Sequence, residues 1–261
     1  MARRPMMAAN WKMNKLIREA EEYVKELLPK ITSAEGVDVA IFAPFTSLPE
    51  VVRATRETPV LAGAQNLYYE DSGAFTGEVS APMIEDVGAG AVIVGHSERR
   101  EIFGESDDVV ARKAARAVSA GLLPIVCVGE TKEERDAGSM WEKVSGQVRV
   151  VFERVDAGGI RGEEIVFAYE PVWAIGTGET ATSEDAQDAI GRIRGLLGEI
   201  GGESFAEQVR ILYGGSIKPG NVDDIIAKED VDGGLVGGAS LEAASFAELV
   251  NGAAPDSSGG G

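Results

Sequence analysis

The chain has 261 residues, 44% of them hydrophobic and 26% charged, enough to bury a large core, and about 200 to 250 residues is a routine size for a one-domain α/β barrel. Forty-three acidic against 25 basic residues leave a formal charge of −18 with the basic ones scattered, which excludes a duplex nucleic-acid binder, whose affinity comes from clustered Lys and Arg. One histidine and one cysteine do not supply the three or four ligands of a zinc site, and no apolar run approaches the roughly 18 residues of a membrane span.

In chain order, the opening MARRPMMAANW carries basic residues with no apolar stretch behind them, so no membrane association and a cytoplasmic protein are expected. PMMAANW is the first of eight short apolar runs; VDVAIFAP, PVLAGAQ, AVIVGHS, LLPIVCVGE, EIVFAYE, VRILYGGS and VDGGLVGG follow. Uniformly apolar runs suit strands buried on both faces, and the polar, helix-patterned segments between them suit the crossovers of a parallel sheet. KLIREAEEYVKELLPKI and DDVVARKAARAVSAG have apolar residues three and four apart, and Gly121 marks the end of the second. Cys127 lies inside the fifth run and reads as a buried strand residue. Eight such units predict an α/β chain closed as a (β/α)8 barrel over residues 1–251, in preference to an open doubly wound sheet. The small, polar, glycine-rich GAAPDSSGGG, residues 252–261, predicts a flexible tail.

Active-site residues of a barrel stand where strands pass into loops. There the sequence places Asn10 and Lys12, Gln65 and Asn66, His96 with Ser97 and Glu98, Glu170, then Gly214, Gly215 and Ser216, and last Gly237 and Gly238, all expected at one mouth. A carboxylate, an imidazole, an ammonium and an amide supply a base, an acid or electrophile, a cation and a hydrogen-bond donor, which suits proton transfer on a carbonyl compound. Glycine pairs after the seventh and eighth runs stand where barrels hold phosphate on backbone N–H groups. Singly, each residue also suits a plainer role: His96 a structural histidine, Lys12 a solvated lysine, Glu98 a partner of Arg99 or Arg100, Trp11 and Trp173 packing residues.

AANWKMN, VIVGHSERR, AYEPVWAIGTG, ILYGGSIKPGN and GGLVGGASL resemble the signature segments of the triosephosphate isomerase family, in the family's order and spread from residue 8 to residue 241. The resemblance implies a barrel that interconverts dihydroxyacetone phosphate and D-glyceraldehyde 3-phosphate with neither metal nor organic cofactor, as a homodimer. It makes Glu170 the base, which an apolar approach strengthens, and His96 the electrophile; the family's electrophile is known to be a neutral imidazole. Lys12 would offset the charge of the enediolate and phosphate, Asn10 would donate to the oxyanion, and Glu98 would support Lys12 and His96. The phosphate would lie on the N–H groups of Gly176, Ser216, Gly237 and Gly238, with Ile175 and Leu235 pressing on the site. PVWAIGTG is similar to the family's lid, with its tip from Ala174 to Gly176 and hinges on either side. The long loop QNLYYEDSGAFTGEVS, which begins at Gln65 and closes with Ser80, would enter the partner subunit and bring Thr76 toward the neighbour's Asn10 and Lys12. Two other readings are an aldolase with Lys12 as Schiff-base nucleophile and a silent barrel that binds sugar phosphates.

The acidity has a consequence of its own. Like charges repel over about 30 Å at 0.01 M ionic strength but only about 3 Å at 1 M. The melting temperature is expected to rise with sodium chloride over that range; a monotonic fall would show that self-repulsion does not limit stability.

Overall fold

Each apolar run forms a strand: β1 Met6–Asn10, β2 Asp38–Ala43, β3 Leu61–Ala64, β4 Ala91–Val94, β5 Leu123–Val128, β6 Val166–Tyr169, β7 Arg210–Tyr213 and β8 Gly233–Val236. All pairs are parallel, and β1 pairs with both β2 and β8, closing the sheet in sequence order. The helices that follow the strands are α1 Ile17–Leu27, α2 Leu48–Thr55, α3 Ala81–Val87, α4 Ser97–Phe103, α5 Asp107–Ser119, α6 Lys132–Asp136, α7 Met140–Phe152, α8 Ser183–Gly201, α9 Glu203–Ala206, α10 Val222–Ile226 and α11 Ala243–Gly252. The fold is the expected (β/α)8 barrel. The computed structural model describes residues 3–174 and 181–255, so the expectations for Ile175, Gly176, the far hinge of the lid and the chain from 256 onward lie outside the described residues.

Local chemistry accounts for the helices. In α1, Ala20, Tyr23, Val24 and Leu27 recur at three- and four-residue spacing and are buried, while the opposite face is charged. At the start of α5 the Ser106 hydroxyl accepts from the Val109 N–H at 3.3 Å, acids fill its first turn, and the helix ends before Gly121. No helix among the described residues is long and apolar enough to cross a membrane.

Strand alternation divides the core in two. Met6 and Ala8 of β1, Ala40 and Phe42 of β2, and Ile125 and Cys127 of β5 pack along the barrel axis. Met7, Ala9, Val39, Ile41 and Val126 point outward into the layer shared with the helices. Cys127 is fully buried, as its run implied, and burial, with the Glu170 carboxylate nearby, pushes its thiol well above the usual range.

Alternation also decides what reaches the mouth. On β1 the inward series Met6, Ala8 continues to Asn10 and Lys12; on β6, Val166 and Ala168 continue to Glu170; on β8, Leu235 continues to Gly237. On β4 the inward residues are Ala91 and Ile93, so an unbroken strand would carry Gly95 inward and turn His96 away. Gly95 interrupts the strand at φ 70, a left-handed conformation that a side chain disfavours, and His96 lines the cavity.

The opposite end of the barrel is fastened by Arg194 of α8. Its five N–H donors meet five acceptors: Asp230 Oδ1 at 2.7 Å, Asp230 O at 2.8 Å, Asp232 Oδ2 at 2.6 Å, and the carbonyls of Ala206 and Val209 at 2.8 and 3.0 Å. Asp232 in turn accepts from the Ile211 N–H at the start of β7 and from Arg3. Replacing Arg194 with Met leaves part-buried Asp230 without its cation and buried Asp232 with Arg3 alone, and a loss of about 3 kcal/mol is expected. Denaturant unfolding measures it; a change below about 1 kcal/mol would show that the network is not what closes this end.

Candidate active site

The C-terminal ends of the strands surround a cavity of about 260 Å³ lined by Asn10, Lys12, His96, Glu170, Ser216, Leu235, Gly237 and Gly238, together with neighbouring backbone. Every described residue expected to act here is present except Glu98, which stands behind Lys12. Gln65, Asn66 and Ser97 were also expected at the mouth and do not line it.

The N-terminus of α4 holds two of the lining groups, Glu170 and His96. The Ser97 N–H donates to Glu170 Oε2 at 2.8 Å, and the Glu98 N–H donates to His96 Nδ1 at 3.2 Å. A backbone donor at Nδ1 requires a lone pair there, so the proton of the neutral ring sits on Nε2. Nε2 is 3.0 Å from Glu170 Oε1. Glu170 is 2% exposed, and the first amide of a helix is a favourable neighbour for its negative charge.

Glu170 reaches this place because its surroundings are small. A Cβ on Gly214 would lie 2.8 Å from Glu170 Cγ. From the other side, Arg100 donates to the carbonyls of Gly95 and Cys127 at 2.8 and 3.2 Å, tying the turn before His96 to the end of β5.

Lys12 is held in a strained backbone conformation at φ 52. Its N–H donates to Asn10 Oδ1 at 3.0 Å, and Gln65 Nε2 donates both to its carbonyl and to that of Phe42, each at 2.9 Å. Gln65 is thus a brace behind Lys12, and for that reason it is not at the mouth. Asn66 turns away altogether, its Oδ1 accepting from buried Lys113 at 2.8 Å. The Lys12 ammonium donates to Glu98 Oε1 at 2.6 Å.

On the far side, a 3-10 turn, Gly238–Ser240, follows β8, and its first two residues line the cavity together with Leu235 and Gly237. The Ser240 hydroxyl lies within hydrogen-bond reach of the Val236 and Gly237 carbonyls, between which its single proton is shared, and Asn221 Nδ2 donates to the Ser216 carbonyl at 3.0 Å. Both loops are therefore fixed from behind.

Three residues near the site escaped the sequence reading. Glu130, fully buried at the end of β5, accepts from the Tyr169 hydroxyl at 3.1 Å, Trp173 Nε1 at 2.9 Å and Arg135 at 3.1 Å. Arg135 also reaches Asp185, the acid of the Thr182 capping box, so one cation links the segment before 175 with the helix after 180. The Tyr213 hydroxyl is buried without a hydrogen-bond partner among the described residues, and burial pushes its pKa up to about 12. Glu130 and Tyr213 both end apolar runs, a legible signal; Arg135 has none, because its partners are distant in sequence. Trp11 is a packing residue, buried edge-on against Tyr23, whereas Trp173 packs and bonds.

A proton acceptor facing a proton donor at the C-terminal end of a closed parallel barrel is the arrangement of an acid–base enzyme of the (β/α)8 class. A family model described as triosephosphate isomerase matches residues 5–253. Curated triosephosphate isomerases are 69% identical over 252 residues in Rubrobacter xylanophilus, covering 96% of this chain and 98% of that one, and 51% identical over 249 residues in Moorella thermoacetica, covering 95% and 98%. That of Chloroflexus aurantiacus is 49% identical over 247 residues, with coverage of 95% and 98%. The chain belongs to the triosephosphate isomerase family.

Crowding at Glu170 is testable. In Gly214→Ala the added methyl must push the Glu170 side chain aside, and a displacement of about 1 Å can lower turnover about 10²-fold. The melting temperature is expected to stay within a few degrees of the parent while kcat falls by that order; an unchanged kcat would show that Gly214 does not set the position of the carboxylate.

Proposed function

We infer that this chain interconverts dihydroxyacetone phosphate and D-glyceraldehyde 3-phosphate through an enediolate, with Glu170 as the base and His96 as the electrophile. The observation that carries the assignment is the 3.0 Å approach of Glu170 Oε1 to His96 Nε2, each group oriented by one of the first two amides of α4. A carbonyl compound that takes the place of this contact meets a carboxylate at its acidic carbon and an N–H at its oxygen.

Glu170 removes the proton from C1 of the ketose, and the electrons of that C–H bond form the C1–C2 double bond as the C2 carbonyl becomes an oxyanion. His96 Nε2–H donates to that oxygen and the ring recovers a proton from the hydroxyl on C1, which becomes the aldehyde. Glu170 then returns its proton to C2, so atoms and charge balance. The Lys12 ammonium and the Asn10 amide stabilise the negative charge, which is largest in the enediolate. Glu98 holds the Lys12 ammonium in place at 2.6 Å.

The phosphate rests on the N–H groups of Ser216, Gly237 and Gly238, a preorganised anion cradle on which no side-chain charge need be spent, and Leu235 supplies an apolar wall. The aldolase reading fits less well, because the Lys12 ammonium is committed to Glu98 as an ion pair and a Schiff base needs a free amine.

The same reading carries a cytoplasmic homodimer. Met13, Phe45, Phe75, Met83, Ile102 and Phe103 are exposed, and all lie on segments that follow β1 to β4, four neighbouring strands. The long loop is stiffened by Tyr68, which packs 4.2 Å from Tyr69 and 4.5 Å from Phe75, and it leaves Thr76 exposed for a second copy.

Shortening the base tests the assignment. Glu170→Asp withdraws the carboxylate by about 1 Å and is expected to lower kcat about 10²-fold or more with the fold intact. A coupled isomerase assay returning near-parental kcat would remove Glu170 from the role of base.

A further inference from the structure

We propose that Lys218 gathers the dianionic substrate to the mouth, acting through its charge at a distance and not as a phosphate ligand. The inference rests on the reading of Ser216, Gly237 and Gly238 as the phosphate cradle. The charged side chains lining the cavity are Lys12, Glu170 and Lys218. Seen from solvent, Lys12 and Glu98 form a neutral pair at 2.6 Å, whose field falls off faster than that of a single charge. Buried Glu170 then leaves the mouth negative, on a chain that already carries −18. Only Lys218 supplies an uncompensated positive charge among the described lining residues: it is exposed, and its ammonium makes no hydrogen bond or ion pair with any described residue.

Its position is fixed by the backbone. The Lys218 N–H donates to Asn221 Oδ1 at 2.7 Å, and the amide of the same Asn221 holds the Ser216 carbonyl at 3.0 Å. One side chain therefore locks the base of the lysine stem to the loop that supplies a cradle N–H, so the charge stays beside the anion site while the stem remains free in solvent. A cation about 10 Å from a dianion in water raises its local concentration roughly fourfold when salt is low, and screening within a few ångströms removes the effect near molar salt.

Steady-state kinetics with dihydroxyacetone phosphate at about 0.01 M and about 1 M ionic strength test this on the parent, Lys218→Gln, Lys218→Glu and a control, Lys228→Gln, whose ammonium pairs with Glu184 outside the cavity lining. At low salt kcat/KM is expected to fall about threefold to fourfold in Lys218→Gln and about tenfold in Lys218→Glu, with kcat and the control unchanged. At high salt both ratios are expected to return to within about 1.5-fold of the parent. No loss at low salt would overturn the proposal. So would an equal loss at both salts, which marks direct contact or a structural part. A parent enzyme that does not turn over triose phosphate would overturn the cradle reading itself, and a parent that does, with unaffected variants, would overturn only Lys218.

Discussion

Two consecutive backbone N–H groups at the start of α4 orient both partners of the proposed acid–base pair. One donates to the Glu170 carboxylate and the other to His96 Nδ1. Backbone amides cannot rotate away as side chains do, so the carboxylate and the imidazole keep their relative position as long as α4 keeps its place on the barrel. That place is set by Arg100 of α4, which grips carbonyls at the ends of β4 and β5, and by the left-handed Gly95 that starts the turn. The chemistry of the mouth therefore depends on the packing of one short helix, and the preorganisation comes from the fold itself.

Closure of the barrel supplies the rest. Parallel strands in register send every second residue to the axis, and at and beyond the last strand residue the same parity delivers Asn10, Lys12, Glu170 and Gly237 to one cavity from strands far apart in sequence. Stability and function are separated along the axis. The Arg194 network binds the N-terminal ends of β7 and β8, while strained Lys12 and the Tyr213 hydroxyl, without a partner among the described residues, are found at the other end. Strain of this kind persists only when its surroundings over-determine it, as Asn10 and Gln65 do for Lys12.

Much of this was legible in the amino-acid order because it is local. Eight uniformly apolar runs with helical spacers specify eight parallel strands, and the polar residues or glycine pairs that end most of them mark the mouth. Those grounds place His96, Glu170, Lys12 and Asn10 at the mouth, where all four line the cavity, whereas a separate role for each came only from the resemblance to the family. What the sequence hid is long-range or conformational. Nothing in the pattern says that Gln65 turns back to brace Lys12 or that Asn66 turns to Lys113, since both stand at the end of a strand like any ligand. The union of Glu130, Arg135, Trp173 and Asp185 joins positions that only the closed barrel makes neighbours. The parity break at Gly95 is visible only as a backbone angle.

On the proposed mechanism Glu170 moves the hydrogen as a proton between two carbons. Running the isomerisation of dihydroxyacetone phosphate in D2O and reading the product by NMR tests it most directly, because a carboxylic acid formed within the cycle can exchange with solvent before it gives its proton back. Proton transfer predicts solvent deuterium at C2 of the aldose, lost together with turnover when Glu170 is replaced by Gln. A product that retains all of the substrate hydrogen, with no deuterium at C2 under any condition, would indicate direct hydride migration and contradict the role of Glu170.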